Sequence, residues 1–306
     1  MTKVKNTGRP VFEGDKTPAM LLVVAGILVL IGGWILWQHF VFGSPKNTFW
    51  DMVDASLQTG GVTKHVRQED DFGLAEQYLQ LELGATNAAK ALSIIVERAE
   101  DDDTTVVTET IGTPEATYVR YLQVESTGPE GELRNDFSPV IGVWGKEDLD
   151  MPGQQSVFND AIYGVIPFAH LSAQQRRELI NTMKTTQVYD VDYDSVKRIH
   201  YQNQDAFELP VSIRPGAYVG MLKQFDSMVG LGHLADLDAS QYQLGVPIQV
   251  IMVVGINSRQ LLAVTYLDAE RTETYQAYGA DVNITTPLHY ISRYEIEQKL
   301  TEINSQ

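Results

Sequence analysis

"PIQVIMVVGINSRQLLAVTYLDAERTETYQAYGADVNITTP", residues 247–287, contains three consecutive strand patterns. The first ten residues are apolar on both faces, which predicts a central strand covered on both sides. A short Asn-Ser turn leads to a second apolar run, 259–270. The third run, 272–287, is rich in threonine and tyrosine, is interrupted by Gly279 and ends at Pro287, so we predict that it is the last strand of the sheet.

The residues before this stretch predict helices and an antiparallel meander. A helix over 47–61 ends at two glycines, and a loop rich in glycine, proline and charge occupies 127–155. Regular spacing with short turns predicts a meander; its strand-like runs are 77–84, 90–99, 104–112 and 116–126. Further helices are predicted at 155–168, 172–186, 215–232 and 292–303, with two strands at 196–202 and 206–213. This order predicts one α+β domain over residues 46–306.

The composition excludes several classes of protein. The chain has 306 residues and a formal charge of −17, which argues against nucleic-acid binding and against a polybasic lipid-binding surface. It contains no cysteine, so disulfides, thiol nucleophiles and cysteine metal sites are excluded. A lipid-attachment cysteine is excluded for the same reason.

An apolar run near the N-terminus predicts a membrane anchor. Residues 19–37 carry no charge and would span about 28 Å as a helix at about 1.5 Å per residue. We therefore predict a transmembrane helix at 19–42, after a short cytoplasmic tail, 1–18, that carries four basic and two acidic residues. The positive side stays inside, which places the C-terminal domain outside a single-pass cell membrane protein. The alternative is a cleaved signal peptide, whose apolar core is usually shorter.

Two stretches resemble those of the LolA-like lipoprotein-carrier fold, in particular the mycobacterial LppX/LprG-type lipoproteins. They are "FWDMVDASLQTGGVTKHVRQ" at 49–68 and "QLLAVTYLDAERTETYQAYGADVNITTP" at 260–287. The resemblance implies a curved antiparallel half-barrel with helices on its concave side, closing an apolar cavity in a protein of the bacterial cell envelope. The missing cysteine departs from that family, and the predicted transmembrane helix takes the place of its lipid anchor.

No motif for catalysis or metal binding is present. Asp190, Asp192 and Asp194 alternate as in a calcium loop, but Ser195 and Tyr201 stand where that loop needs glycine and glutamate. The six histidines are scattered and show no close ligand spacing. We therefore predict neither an enzyme nor a resident cofactor or metal.

The predicted ligand-binding residues lie on two helix faces: Phe158, Ile162 and Ile166 on one, and Met221, Phe225 and Met228 on the other. Either they form an ordinary core, or they line an adaptable pocket for a lipid or another apolar ligand. The first function hypothesis is a membrane-anchored extracytoplasmic domain that binds such a ligand. The alternative is a non-catalytic envelope scaffold with a filled core that binds a protein partner. The two differ in whether the hollow of the sheet is open.

Overall fold

The computed structural model describes residues 43–84, 87–98, 103–127, 133, 135–149, 154 and 156–305. The predicted tail, 1–18, and transmembrane helix, 19–42, lie outside these residues. Within the described part, no helix is long and apolar enough to cross a membrane. Residues 48–306 form one compact unit.

The strands of the described residues all belong to one curved sheet that does not close on itself. Its strands are β1 (Gly61–Asp70), β2 (Gly73–Glu82), β3 (Ala88–Arg98), β4 (Asp103–Gly112), β5 (Ala116–Thr127), β6 (Gly145–Asp148), β7 (Tyr189–Val191), β8 (Lys197–Tyr201), β9 (Gln204–Ile213), β10 (Ile248–Gly255), β11 (Leu261–Tyr266), β12 (Arg271–Gln276) and β13 (Ile291–Ser292). They are ordered β13-β6-β5-β4-β3-β2-β1-β12-β11-β10-β9-β7, with β8 also paired to β9. The predicted meander is confirmed, because β1 to β5 follow one another as antiparallel neighbours.

Five helices accompany the sheet in the described residues: α1 (Pro45–Ser56), α2 (Val157–Ile162), α3 (Ala173–Thr185), α4 (Pro215–Val229) and α5 (Arg293–Asn304). Their starts follow from local chemistry. Ser172 and Gln175 form a capping box at α3, Ser292 and Glu295 form another at α5, and Pro215 occupies the first turn of α4. The α4 helix ends at Gly230, whose φ of 77° is a left-handed conformation that glycine adopts without strain.

The main core lies between one face of the sheet and helices α1 to α4. It joins side chains from all four helices with inward residues of the strands, such as Leu79, Leu81 and Met252. The central strand predicted at 247–256 is confirmed as β10, which pairs with β9 and β11. Val250, Met252 and Val254 belong to the main core, whereas Val253 belongs to a small cluster on the other face.

Three predictions about local structure were wrong. The strand predicted over 272–287 ends at Gln276, because Ala277 and Gly279 adopt positive φ angles of 54° and 68° that interrupt a ladder. The helix predicted over 155–168 is only α2, since Gly164 and Pro167 disfavour its continuation. The region predicted as loop, 127–155, contains the strand β6, which pairs with β5 and, in parallel, with the edge strand β13.

Candidate functional site

A cavity of about 610 Å³ lies on the helix-covered face of the sheet. Its size is within the usual range of small-molecule sites, about 300–1,000 Å³. One wall comes from inward residues of β1, β2 and β3, and another from the end of α2 and the turn at 163–165. The lining is mixed. Val66, Ile95, Val165, Ile213 and Ile248 are apolar, whereas Lys64, Gln77, Asp160, Arg271 and Glu273 are polar or charged.

Glu273 is the centre of a charged cluster in this cavity, and it is 1% exposed. One carboxylate oxygen, Oε1, accepts from Arg271 Nε at 3.0 Å and Nη2 at 2.6 Å, and from the Tyr266 hydroxyl at 3.2 Å. The other oxygen, Oε2, lies 3.2 Å from Lys64 Nζ and accepts from the Tyr275 hydroxyl. Five donors therefore converge on one buried carboxylate.

Strand register brings these residues together. β1 and β12 are antiparallel neighbours, with Lys64 opposite Tyr275 and Val66 opposite Glu273. Because alternate residues of a strand share a face, all four point toward the core. A buried ion pair depends on good geometry and complete hydrogen bonding, since the loss of hydration is costly. The five contacts around Glu273 satisfy that condition.

The cluster holds Glu273 in its ionised form. Burial alone would raise the pKa of this carboxyl, but Lys64, the Tyr275 hydroxyl and Arg271 outweigh burial and lower the pKa below its usual range. The same carboxylate has the opposite effect on its neighbour. Burial, and then the negative charge of Glu273, raise the pKa of Tyr275 well above its ordinary value, so this phenol stays protonated as a donor.

Asp160, on α2, faces the same cavity but is in a different state. Solvent reaches its side chain through the cavity, and no ion-pair partner lies within 4.0 Å among the residues that the structure describes. Burial raises the pKa of Asp160, although Lys64 and Arg271 act in the other direction. Asp160 is therefore easier to protonate than an ordinary aspartate.

Hydrogen bonds fix the wall of the cavity formed by the turn after α2. The Tyr163 hydroxyl donates to Asp226 Oδ1 at 2.5 Å, and the Tyr218 hydroxyl donates to the carbonyl oxygen of Gly164 at 2.9 Å. Asp226 also accepts from the backbone N–H groups of His233 and Leu234. Both tyrosines come from elements that flank the cavity, so the network holds this wall against α4.

The six predicted ligand-binding residues do not line this cavity. Ile166, Met221 and Phe225 are 0%, 1% and 0% exposed and pack in the main core. Phe158, Ile162 and Met228 line a separate, smaller pocket of about 290 Å³, together with Phe168, Leu171 and Leu231. The structure thus divides the predicted set between a filled core and a small apolar pocket.

The acidic residues considered for calcium have another role. Asp192 Oδ1 accepts from the backbone N–H groups of Asp194 and Ser195, at 3.1 and 3.3 Å, and so closes the turn before β8. Asp190 lies in β7, an edge strand of the sheet. Within the described ranges, no group of three or more histidine, aspartate and glutamate side chains is placed to hold a metal ion.

The residues of the charged cluster were missed by the sequence analysis, although the sequence carries a signal for them. In β1, Lys64 takes the strand phase of Val62 and Val66, where an apolar residue is expected. In β12, Glu273 shares a phase with Tyr275. A charged residue in the buried phase of a strand predicts a partner, but the sequence does not say which strand supplies it.

Comparisons with known proteins give similarities at the level of structure. No family model and no curated protein matches the chain. The structure is similar to the crystal structure of LprF from Mycobacterium bovis, with 14% identity and a TM-score of 0.41 over 80% of this chain and 98% of that one. It is also similar to a beta-barrel-like protein of domain of unknown function DUF1849 from Brucella abortus, with 9% identity and a TM-score of 0.27 over 75% of this chain and 100% of that one.

The match to LprF agrees with the resemblance to LppX/LprG-type lipoproteins that the sequence indicates. Both TM-scores are below 0.5, so neither similarity bears on the chemistry of the cavity.

Proposed function

We propose that residues 46–306 form a non-catalytic domain that binds a lipid-like amphiphile in the 610 Å³ cavity. The observation that carries this proposal is the mixed lining of this open space on the helix-covered face of the sheet. Apolar side chains provide surface for a hydrocarbon chain, and the charged cluster provides partners for a polar group. Binding would act through shape and burial, with no bond made or broken in the ligand.

The proposal includes the finer architecture expected from the sequence. In it, the curved sheet is a half-barrel, the helices cover its concave side, and the ligand lies between them. The helix at 19–42 would anchor the chain in a cell membrane with the binding domain outside. Such a domain would hold its ligand close to the bilayer, because a tethered protein does not diffuse between membranes.

A second candidate is the envelope scaffold with a filled core that binds a protein partner. The packing of Ile166, Met221 and Phe225, each at most 1% exposed, favours it, because these residues leave no room for a ligand between them. The open cavity beside β1 and β12 favours the binding domain. The two candidates therefore make opposite predictions about whether that cavity is occupied.

Native mass spectrometry with lipid extraction on the full chain tests the proposal. The variant Ser93→Phe places a large side chain in the cavity, since Ser93 lines it. Leu92→Phe is the matched control, because adjacent residues of a strand point to opposite faces. We expect a stoichiometric amphiphile with the wild type and with Leu92→Phe, and its loss with Ser93→Phe. Equal lipid content in all three proteins, or none in any, would overturn the proposal in favour of the scaffold.

A further inference from the structure

We propose that the ligand of this cavity carries an anionic head group, such as a phosphate or carboxylate, that binds between Lys64 and Arg271. This inference rests on the proposed function and adds the chemical class of the ligand. Both cations line the cavity, and the Lys64 side chain is only 5% exposed. A nearly buried lysine whose amino group faces an open cavity is an unusual feature in a chain of net charge −17.

The hydrogen-bond partners of Glu273, Lys64 and Arg271 indicate the charge of a ligand that would fit between them. An ionised carboxylate has about four lone-pair positions, and the five donors around Glu273 already exceed that number. Lys64 has three N–H groups, and its one ion-pair partner among the described residues is Glu273; its Nζ also lies 6.0 Å from the centre of the Tyr275 ring. Arg271 uses Nε and Nη2 on Glu273, so its Nη1 has no acceptor in the described part of the chain. The donor groups that remain for a ligand therefore belong to cations, and they fit an anionic oxygen.

The other charges at the cavity are consistent with an anion. Glu76, on β2, is paired with Arg67 at 3.3 Å. Asp160 would repel an anion while ionised, but burial raises the pKa of this carboxyl, and its protonated form donates a hydrogen bond. At the cavity, Lys64 and Arg271 therefore face one saturated carboxylate, Glu273, and one carboxyl group, Asp160, that is easier to protonate than an ordinary aspartate.

The apolar residues of the cavity indicate the chemistry of the rest of the ligand. Val66, Val165, Ile213 and Ile248 line the same cavity as the two cations. Ile95 and Ile248 are 40% and 38% exposed, which leaves apolar surface uncovered at this site. A hydrocarbon chain against these residues removes that surface from water. An anionic amphiphile is therefore complementary to both parts of the lining.

Isothermal titration calorimetry of the full chain in amphipol tests the inference with four probes. They are octyl phosphate, octyl glucoside, octyltrimethylammonium and inorganic phosphate, and the Ser93→Phe variant serves as the blank for partition into the amphipol. We expect octyl phosphate to bind about tenfold more tightly than octyl glucoside, since charge-assisted hydrogen bonds add to the shared apolar contacts. Octyltrimethylammonium is expected to bind more weakly than either.

Two variants separate charge recognition from folding. Arg271→Gln should remove the preference for octyl phosphate and keep binding of octyl glucoside, whereas Arg271→Lys should keep part of the preference. Asp160→Asn should increase the affinity for octyl phosphate at neutral pH, because it removes a carboxylate that lines the cavity. Equal affinities for octyl phosphate and octyl glucoside in the wild type, unchanged in Arg271→Gln and Asp160→Asn, would overturn the inference.

A failure of the proposed function would give a different experimental result from a failure of the anionic head group. If no octyl probe shows binding above the Ser93→Phe blank, the proposal that the cavity binds an amphiphile is wrong. If inorganic phosphate binds as tightly as octyl phosphate and octyl glucoside does not bind, the site recognises a free anion. That result would support the anionic head group and overturn the lipid-like ligand.

Discussion

Phe225 and Glu273 are equally buried, at 0% and 1% exposed, but they lie in regions that are filled in different ways. Around Phe225, apolar side chains from the helices and the sheet close the space between them. Around Glu273, cations and hydroxyl groups satisfy a charge, and a cavity of about 610 Å³ remains beside them. Apolar surfaces gain by excluding water and pack closely, whereas polar groups can stay hydrated. In this molecule, the larger of these two spaces, about 610 Å³, lies where charged residues face inward, and the pocket among apolar residues is smaller, about 290 Å³.

The largest effect is expected in the filled region. Phe225→Ala should lower the free energy of unfolding by about 3–5 kcal/mol, because it leaves a cavity in a close-packed core. Chemical denaturation followed by circular dichroism measures this loss. Leu244→Ala is the control, since Leu244 is 99% exposed and its truncation should change the stability by no more than about 0.5 kcal/mol. Equal stability of both variants would show that the core at Phe225 is not packed as described.

In the charged cluster around Glu273, removing one ion-pair partner should lower the stability of the fold. Lys64→Met should cost about 3 kcal/mol, because it leaves the carboxylate of Glu273 buried with fewer positive charges. The double variant Lys64→Met, Glu273→Gln should be more stable than the single one, since it removes the charge that was left unpaired. A double-mutant cycle, with unfolding by urea, measures the free energy of unfolding of the single and double variants. Strictly additive losses would contradict the coupling.

The same cluster predicts a dependence on pH. The ionised form of Glu273 is favoured in the folded state, because Lys64, Tyr275 and Arg271 outweigh burial and lower its pKa. Its contribution is complete above the unfolded pKa of a glutamate, about 4.3, and is lost as the pH falls through the lower folded value. The stability gap between the wild type and Glu273→Gln should therefore narrow from pH 5 downward. Thermal unfolding at a series of pH values measures this difference in stability. A difference that does not change with pH would exclude a stabilising role for the ionised Glu273 carboxylate.

The smallest effect is expected at Asp160, which lies on the same helix as Phe158 but faces the cavity. Burial raises its pKa in the folded state, so its ionisation disfavours folding as the pH rises above the unfolded pKa of an aspartate, about 3.9. Asp160→Asn should slightly raise the melting temperature at pH 7, and the gain should disappear as the pH falls below the unfolded pKa of aspartate. Differential scanning calorimetry resolves the shift. A lower melting temperature at pH 7 would mean that the carboxylate is stabilising.

Much of the fold could be predicted from local patterns. Alternation in Leu79 and Leu81 predicts an inward face of β2, and the apolar run at 247–256 predicts the central strand. The capping box at Ser172 and the proline at 215 locate the starts of two helices. These features depend on residues close in sequence, so local chemistry decides them. The strand over 272–287 was predicted too long, because its pattern does not reveal the positive φ angle at Ala277.

The candidate site could be predicted only in part. Apolar spacing indicates that Phe158, Ile162, Ile166, Met221, Phe225 and Met228 are inward, and the structure buries five of these six at 2% exposure or less. The spacing does not distinguish a filled core from the lining of a pocket. That distinction depends on how closely the opposite surface approaches, which is set by side chains far away in the sequence.

The sequence by itself determined the composition, the charge of −17, the absence of cysteine and most of the strand and helix positions. Only the tertiary structure decided where open space remains and which charges meet there. Lys64 and Glu273 are 209 positions apart, and they come together because β1 pairs with β12 across the sheet. The face of a strand on which a side chain lies follows from its position in the local sequence. The partner that it meets is decided by strand order, which requires the whole sheet to form.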